Sequence, residues 1–184
     1  MPGYKPKPLS CCKLCLDECS ERNALIDDGD VITLGIGGCR ITNTHGVLRT
    51  TLGSCVGVTL YDKFTKTGGM IHVMLPDSSR SKGRLTRFAD TGIPNLVNCM
   101  INEHSSSRSL LTAKIFGGAK MFNVFSKALD VGNNNIEACV NTLKQQGIKI
   151  ECGITGGTKG TQIKFHVNDG KVVFKTIGGK EEVY

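Results

Sequence analysis

Short β-rich segments separated by glycine-containing turns run through most of this chain, and they restrict its fold more than any other feature. We predict strands over residues 31–36, 40–43, 47–51, 56–61, 70–75, 113–118, 148–152, 162–167 and 172–177. Asn168-Asp169-Gly170, between the last two, is typical of a hairpin turn. Strands dominate this prediction, and the helices are expected to pack outside the sheets. The predicted class is therefore α/β or α+β.

Two segments instead repeat their apolar residues with the period of an α-helix. The first has apolar residues at Ile93, Leu96, Val97, Met100 and Ile101. The second has them at Ile136, Cys139, Val140 and Leu143. Asp90 or Thr91 is predicted to cap the first helix, and Asn133 or Asn134 the second. Gly147 is predicted to end the second helix.

The composition is that of an ordinary globular protein, with 39% hydrophobic and 21% charged residues. No apolar run approaches the ~20 residues of a membrane span, and no apolar stretch follows the basic start of the chain. We therefore expect a cytoplasmic protein without membrane insertion. The net charge of +7 is spread along the chain, and with no Trp and three Tyr there are few rings for base stacking, so nucleic-acid binding is not favoured.

Residues 1–30 differ from the rest and are predicted to form a separate, flexible or loosely packed extension, with the main domain over 31–184. The extension contains a cluster of cysteines at Cys11, Cys12, Cys15 and Cys19. Four thiolates are able to bind zinc, but structural zinc sites usually join two separated pairs, whereas these four lie close together. We therefore favour a packing or disordered segment and predict no metal.

The sharpest local feature is Leu52-Gly53-Ser54-Cys55-Val56, where a cysteine follows a Gly-Ser turn and precedes an apolar strand. Such a turn lifts a side chain out of a sheet and leaves backbone N–H groups free beside it. N–H groups at Gly53 and Ser54 are suited to stabilise an oxyanion on an attacked carbonyl. A thiol with an ordinary pKa of ~8.5 is only partly ionised at neutral pH, so a nucleophilic Cys55 needs a base.

His72 is the candidate for that base. It is the only polar side chain in the apolar segment Met70-Ile71-His72-Val73-Met74-Leu75. If this strand lies beside the strand that follows Cys55, the two side chains can meet. On the pattern alone, however, a hydrogen-bonded core histidine and a buried cysteine are favoured over a catalytic pair. A third polar group often orients the base, and Thr50 and Thr51 both lie just upstream, although β-propensity alone explains most such threonines.

Four motifs, in order along the chain, resemble the chemoreceptor glutamine deamidase family, CheD. They are LGSCVGVTLYD, GGMIHVMLPDS, RFADTGIPNLV and AKIFGGAKMF. The resemblance covers roughly residues 31–177, more loosely at its two ends. It implies a layered β-sheet sandwich with peripheral helices, similar to the fold of bacterial toxin deamidases.

The resemblance also implies a function: hydrolysis of selected glutamine side chains to glutamate on methyl-accepting chemotaxis receptors, through a cysteine thioester. Cys55 matches the family's nucleophile, His72 its base, and an upstream threonine completes the set, with Thr50 favoured over Thr51. No metal or organic cofactor is implied. A CheC-type chemotaxis phosphatase is the implied partner. The alternative is a non-catalytic binding partner and regulator of such a phosphatase.

Overall fold

The computed structural model describes residues 31–43, 46–79, 82–121 and 130–184, together with the backbone of residues 24–27. The strands in these ranges are β1 (Ala24–Asp27), β2 (Val31–Leu34), β3 (Cys39–Thr42), β4 (Val47–Leu52), β5 (Val56–Asp62), β6 (Thr67–Val73), β7 (Leu111–Gly117), β8 (Lys149–Thr155), β9 (Thr161–His166), β10 (Lys171–Thr176) and β11 (Glu181–Val183). The α-helices are α1 (Ala89–His104) and α2 (Val131–Gln145).

The strands form two sheets. The first has the order β1-β2-β4-β9-β10-β11, and the second has the order β3-β6-β5-β7-β8. Neighbouring strands are antiparallel except for the pairs β2–β4 and β7–β8, which are parallel. The predicted hairpin is confirmed, because β9 and β10 pair directly across the turn.

The packing of the two sheets and the helices explains why β5 and β6 are mostly apolar in sequence, with no alternation of apolar and polar residues. One face of the second sheet packs with α1 and α2, forming a core that includes Ile71, Val73 and Leu96. Its other face packs on the first sheet through a second core, which includes Met70 and Phe165. A strand covered on both faces needs apolar residues at successive positions. The molecule is therefore a layered α+β structure, and the predicted class is confirmed.

The helix ends agree with the sequence only in part. Gly147 follows α2 with φ of +69°, as predicted for a helix stop. The predicted caps are wrong. Helix α1 begins after the buried Phe88, and Asp90 instead accepts hydrogen bonds from the N–H and hydroxyl of Ser78. Helix α2 is capped by Asp130, whose carboxylate accepts the Asn133 N–H at 3.1 Å.

The N-terminal cysteine cluster lies outside the described residues. Strand β1 falls inside the predicted 1–30 extension, and its backbone pairs antiparallel with β2. The division at residue 30 stays a prediction. Neither of the described helices is long and apolar enough to cross a bilayer.

Candidate active site

Residues 53–55 carry the chain from the first sheet to the second, because β4 ends at Leu52 and β5 begins at Val56. Cys55 is half-buried in this crossing, and its side chain packs against the core between the sheets. Burial raises the pKa of the Cys55 thiol. The motif singled out in the sequence is therefore a short crossover, and it directs the cysteine toward the space between the two sheets.

The carbonyl groups of this crossover are all hydrogen-bonded. Gly53 O accepts the Ala119 N–H at 2.8 Å, and Cys55 O accepts the Gly118 N–H at 2.7 Å. Ser54 O accepts the side-chain amide of Asn135 at 3.0 Å. Among the described residues, no turn or loop hydrogen bond uses the N–H groups of residues 53–55. The crossover is thus held by its carbonyls, while its N–H groups are left for other partners.

Gly117 shows how tightly the crossover is packed. Its φ is +94°, a conformation that residues with a side chain rarely adopt. A Cβ at this position would lie 2.6 Å from Cys55 O and 3.0 Å from Leu52 Cβ. A glycine at the end of β7 is therefore required for the backbone to approach the cysteine, a role that the sequence pattern alone did not reveal.

His72 lies on β6 and faces the first sheet. Its side chain is only 3% exposed, and its Nδ1 lies 2.8 Å from Thr50 Oγ1 on β4. The Thr50 hydroxyl also donates a hydrogen bond to Leu34 O at 2.8 Å. The neighbouring Thr51 is exposed and points away. The structure thus brings Thr50, and not Thr51, to the imidazole.

These two hydrogen bonds define the tautomer of His72. A carbonyl oxygen can only accept, so the single proton of Thr50 is committed to Leu34 O. The contact between Thr50 and His72 then requires the proton on Nδ1, with Thr50 Oγ1 as acceptor. The lone pair lies on Nε2, which is buried and has no hydrogen-bond partner among the described residues. This is the tautomer that a general base acting through Nε2 needs.

Cys55 and His72 face the same layer of the molecule. In the pairing of β5 with β6, Val56 lies opposite Val73 and Gly57 lies opposite His72. Side chains alternate along a strand, so Cys55 shares a face with Gly57 and lies one diagonal step from His72. A Cβ at Gly57 would lie 2.9 Å from Ile163 Cδ1 and 3.0 Å from Leu52 Cδ1, so side chains of the first sheet fill the space at this position. The thiol is not hydrogen-bonded to Nε2 in this structure.

The electrostatics keep both groups neutral at rest. Burial lowers the pKa of His72 to about 4, and the nearby carbonyl of Leu34 opposes that effect. Since burial also raises the pKa of Cys55, a thiol and a neutral imidazole coexist near pH 7. Among the described residues, no group of three or more His, Cys, Asp or Glu side chains is arranged to hold a metal ion.

Asn135 is the site-adjacent residue that the sequence analysis missed. It is fully buried on α2, and its amide donates to Ser54 O at 3.0 Å and to Met74 O at 2.9 Å. A signal was available, because Asn135 lies four residues before Cys139, on the apolar face of the helix. The sequence prediction assigns only Asn133 or Asn134 a role, as helix caps, and assigns none to Asn135.

The two-sheet fold thus places a cysteine at the sheet crossover, on the same face as a histidine that is held by a threonine. The family profile described as CheD chemotactic sensory transduction matches residues 74–176. The chain is 37% identical to the probable chemoreceptor glutamine deamidase CheD of Caldanaerobacter subterraneus subsp. tengcongensis, over 82% of this chain and 96% of that protein. The chain belongs to the CheD family.

Other relatives agree with this assignment. The chain is 39% identical to the probable chemoreceptor glutamine deamidase CheD of Pyrococcus abyssi, over 83% of this chain and 98% of the relative. It is 37% identical to the chemoreceptor glutamine deamidase CheD of Thermotoga maritima, over 82% of this chain and 94% of the relative. Among solved structures, the Bacillus licheniformis hypothetical protein YfiH has a TM-score of 0.41 at 14% identity, covering 65% of this chain and 51% of that one.

Proposed function

We propose that this chain is a chemoreceptor glutamine deamidase that uses Cys55 as its nucleophile, His72 as general base and Thr50 to hold that base. Family membership supports the reaction, since relatives covering most of this chain are named for it. The observation that carries the assignment of residues is the hydrogen bond between Thr50 and His72 Nδ1, with Nε2 left unpartnered on the face shared with Cys55.

The reaction follows from the neutral resting pair. As the sulfur of Cys55 attacks the glutamine Cδ, His72 Nε2 accepts the thiol proton. The N–H groups of the crossover, at Gly53, Ser54 and Cys55, make no turn or loop hydrogen bond within the described part of the chain and are suited to stabilise the oxyanion that forms on the former amide oxygen. His72 then gives the proton to the departing nitrogen, ammonia leaves, and the substrate is held as a thioester on Cys55.

The second half of the reaction reverses the roles. His72, neutral again, takes a proton from water as the water oxygen attacks the thioester carbonyl. The C–S bond breaks, His72 returns the proton to the sulfur, and glutamate is released. The chemistry needs no metal or organic cofactor, because every proton transfer runs through His72 and the electrophile is already an amide carbonyl.

The compartment and the partner belong to the same proposal. Cys55 is a reduced thiol, and a nucleophilic cysteine must stay reduced, which favours the cytoplasm. A CheC-type phosphatase partner stays a prediction from the resemblance, as does the non-catalytic role beside it. The retained contact between Thr50 and His72 favours the enzyme, since a binding module does not need an oriented base.

The proposal is tested by mass spectrometry of a chemoreceptor cytoplasmic fragment incubated with the protein. We expect a gain of about one dalton per deamidated glutamine with the wild type, and none with Cys55→Ala or His72→Ala. Cys139→Ala is the matched control, since Cys139 is a free buried thiol in the helix-side core. Activity retained in Cys55→Ala would remove the cysteine from the mechanism. No reaction by the folded wild type, across receptors of its own organism, would favour the binding module.

A further inference from the structure

The β5–β6 ladder ends just before the two groups that must react. Its last residue pair is Val56 with Val73, so Ser54, Cys55 and Met74 lie beyond the ladder. Backbone hydrogen bonds between paired strands are what fix one strand against its neighbour. Past the last pair, another contact has to set the spacing between the crossover at residues 53–55 and the end of β6, the strand that carries His72.

Asn135 supplies a contact at that point. One side-chain amide donates its two protons to Ser54 O, at 3.0 Å, and to Met74 O, at 2.9 Å. The first acceptor immediately precedes Cys55, and the second lies two residues after His72. The amide therefore joins the two strands across the gap where their own ladder stops.

The helix that carries Asn135 is itself held close to the crossover. A Cβ at Gly132, one turn earlier on α2, would lie 2.5 Å from Gly118 O and 2.8 Å from Ala119 O. The N–H groups of Gly118 and Ala119 bind Cys55 O and Gly53 O. Asn135 is fully buried, and its Oδ1 has no hydrogen-bond partner among the described residues, so the amide is directed entirely by its two donor bonds.

We propose that Asn135 is a positioning residue. Its side-chain amide binds both Ser54 O and Met74 O, and thereby aligns Cys55 with His72. The proposal rests on the proposed function only in naming the two groups that are aligned. A displacement of about 1 Å at a reacting centre can reduce the rate about 100-fold. Loss of the amide therefore acts on the chemical step and on the reactivity of the thiol, and leaves substrate affinity unchanged.

The test compares Asn135→Leu, which keeps the branching of the side chain and removes both donors, with Asn141→Leu on the exposed side of the same helix. Two readouts are needed: kcat and KM for receptor deamidation, and the pH dependence of Cys55 alkylation by iodoacetamide, resolved by peptide mass spectrometry. We expect kcat to fall about 10- to 100-fold at unchanged KM, and the alkylation profile to approach that of His72→Ala. Asn141→Leu should match the wild type in both.

The alkylation readout requires no receptor, so it tests the positioning role even if the wild type proves not to be a deamidase. Asn135→Ser, which keeps one hydroxyl donor, should show a smaller change in the same direction. A folded Asn135→Leu with wild-type kcat and a wild-type alkylation profile would overturn the proposal. Failure of both Asn135→Leu and Asn135→Ser to fold would also overturn the proposal, because Asn135 would then be needed for the stability of the fold.

Discussion

Thr50 Oγ1 lies 2.8 Å from His72 Nδ1 and joins the two sheets at the candidate site. The same hydroxyl donates to Leu34 O at 2.8 Å, which leaves Nδ1 of His72 as the donor in the contact between the two side chains. Thr50, on the first sheet, thereby holds the imidazole of His72, on the second sheet, in one tautomer. Cys55 lies at the crossover between these two sheets.

The first prediction concerns this hydroxyl. Thr50→Val keeps the shape of the side chain and removes the group that accepts the Nδ1 proton. We expect kcat for deamidation to fall about 10- to 100-fold, because the imidazole loses its fixed tautomer and orientation. Thr50→Ser should recover most of the rate. Thr51→Val, an exposed neighbour on the same strand, should behave as wild type. Equal rates for the Thr50→Val and Thr51→Val variants would contradict this role.

The second prediction concerns the pH dependence of activity. Only neutral His72 can accept the thiol proton, and its pKa is about 4. We expect kcat/KM to stay high from neutral pH down to about 5 and to fall with a midpoint near 4. Circular dichroism over the same range identifies the pH values at which the protein is still folded. A midpoint at 6 or above, in folded protein, would show that the imidazole is not desolvated as described.

The third prediction concerns stability. The ordinary pKa of His72 is 6.5, and burial lowers it to about 4 in the folded chain. Between these values the unfolded chain binds a proton that the folded chain does not, so the free energy of unfolding falls as the pH drops through this window. It falls by roughly 3 kcal/mol in all and then levels off below pH 4. Urea unfolding at several pH values measures it.

The control for that measurement is His72→Gln, which cannot titrate at this position. Its unfolding free energy should lose less on acidification than that of the wild type, by roughly 3 kcal/mol over the same window. Other titrating groups are common to both proteins and cancel in the comparison. Parallel curves for the two proteins would mean that His72 has an ordinary pKa in the folded state.

The fourth prediction separates backbone strain from contact with Cys55. Gly117 and Gly147 both have positive φ, but a Cβ at Gly117 meets Cys55 O at 2.6 Å, while one at Gly147 meets nothing within 4 Å. Each Gly→Ala change should cost about 1 kcal/mol or more of stability through φ alone. Only Gly117→Ala should also lose deamidase activity. Comparable activity in the two variants would show that the crossover tolerates displacement.

Parts of the site could be predicted from the sequence because they are local. The Gly-Ser turn singled out Cys55, and a lone polar residue in an apolar strand singled out His72. The choice between Thr50 and Thr51 was not local. Successive residues on β4 face opposite sides, and which side faces the histidine depends on how two sheets pack.

The rest depended on contacts between distant segments. Asn135 binds Ser54 O across 81 residues of sequence, and no periodicity encodes that pair. The cap of α1 was wrong because the buried Phe88 sets where that helix begins, which is a matter of packing and not of capping propensity. The strands were predicted more reliably, because β5 and β6 are buried on both faces and therefore have mostly apolar residues at successive positions.

The most direct measurement is a search for the covalent intermediate on Cys55. A glutamine-containing receptor peptide is mixed with the protein, the reaction is quenched in acid within one turnover, and the digest is examined by mass spectrometry. We expect the peptide containing Cys55 to carry the mass of the substrate less that of ammonia, with no adduct in Cys55→Ala. Deamidation that proceeds at the wild-type rate in Cys55→Ala, with no adduct in the wild type, would contradict the central claim that this cysteine is the nucleophile.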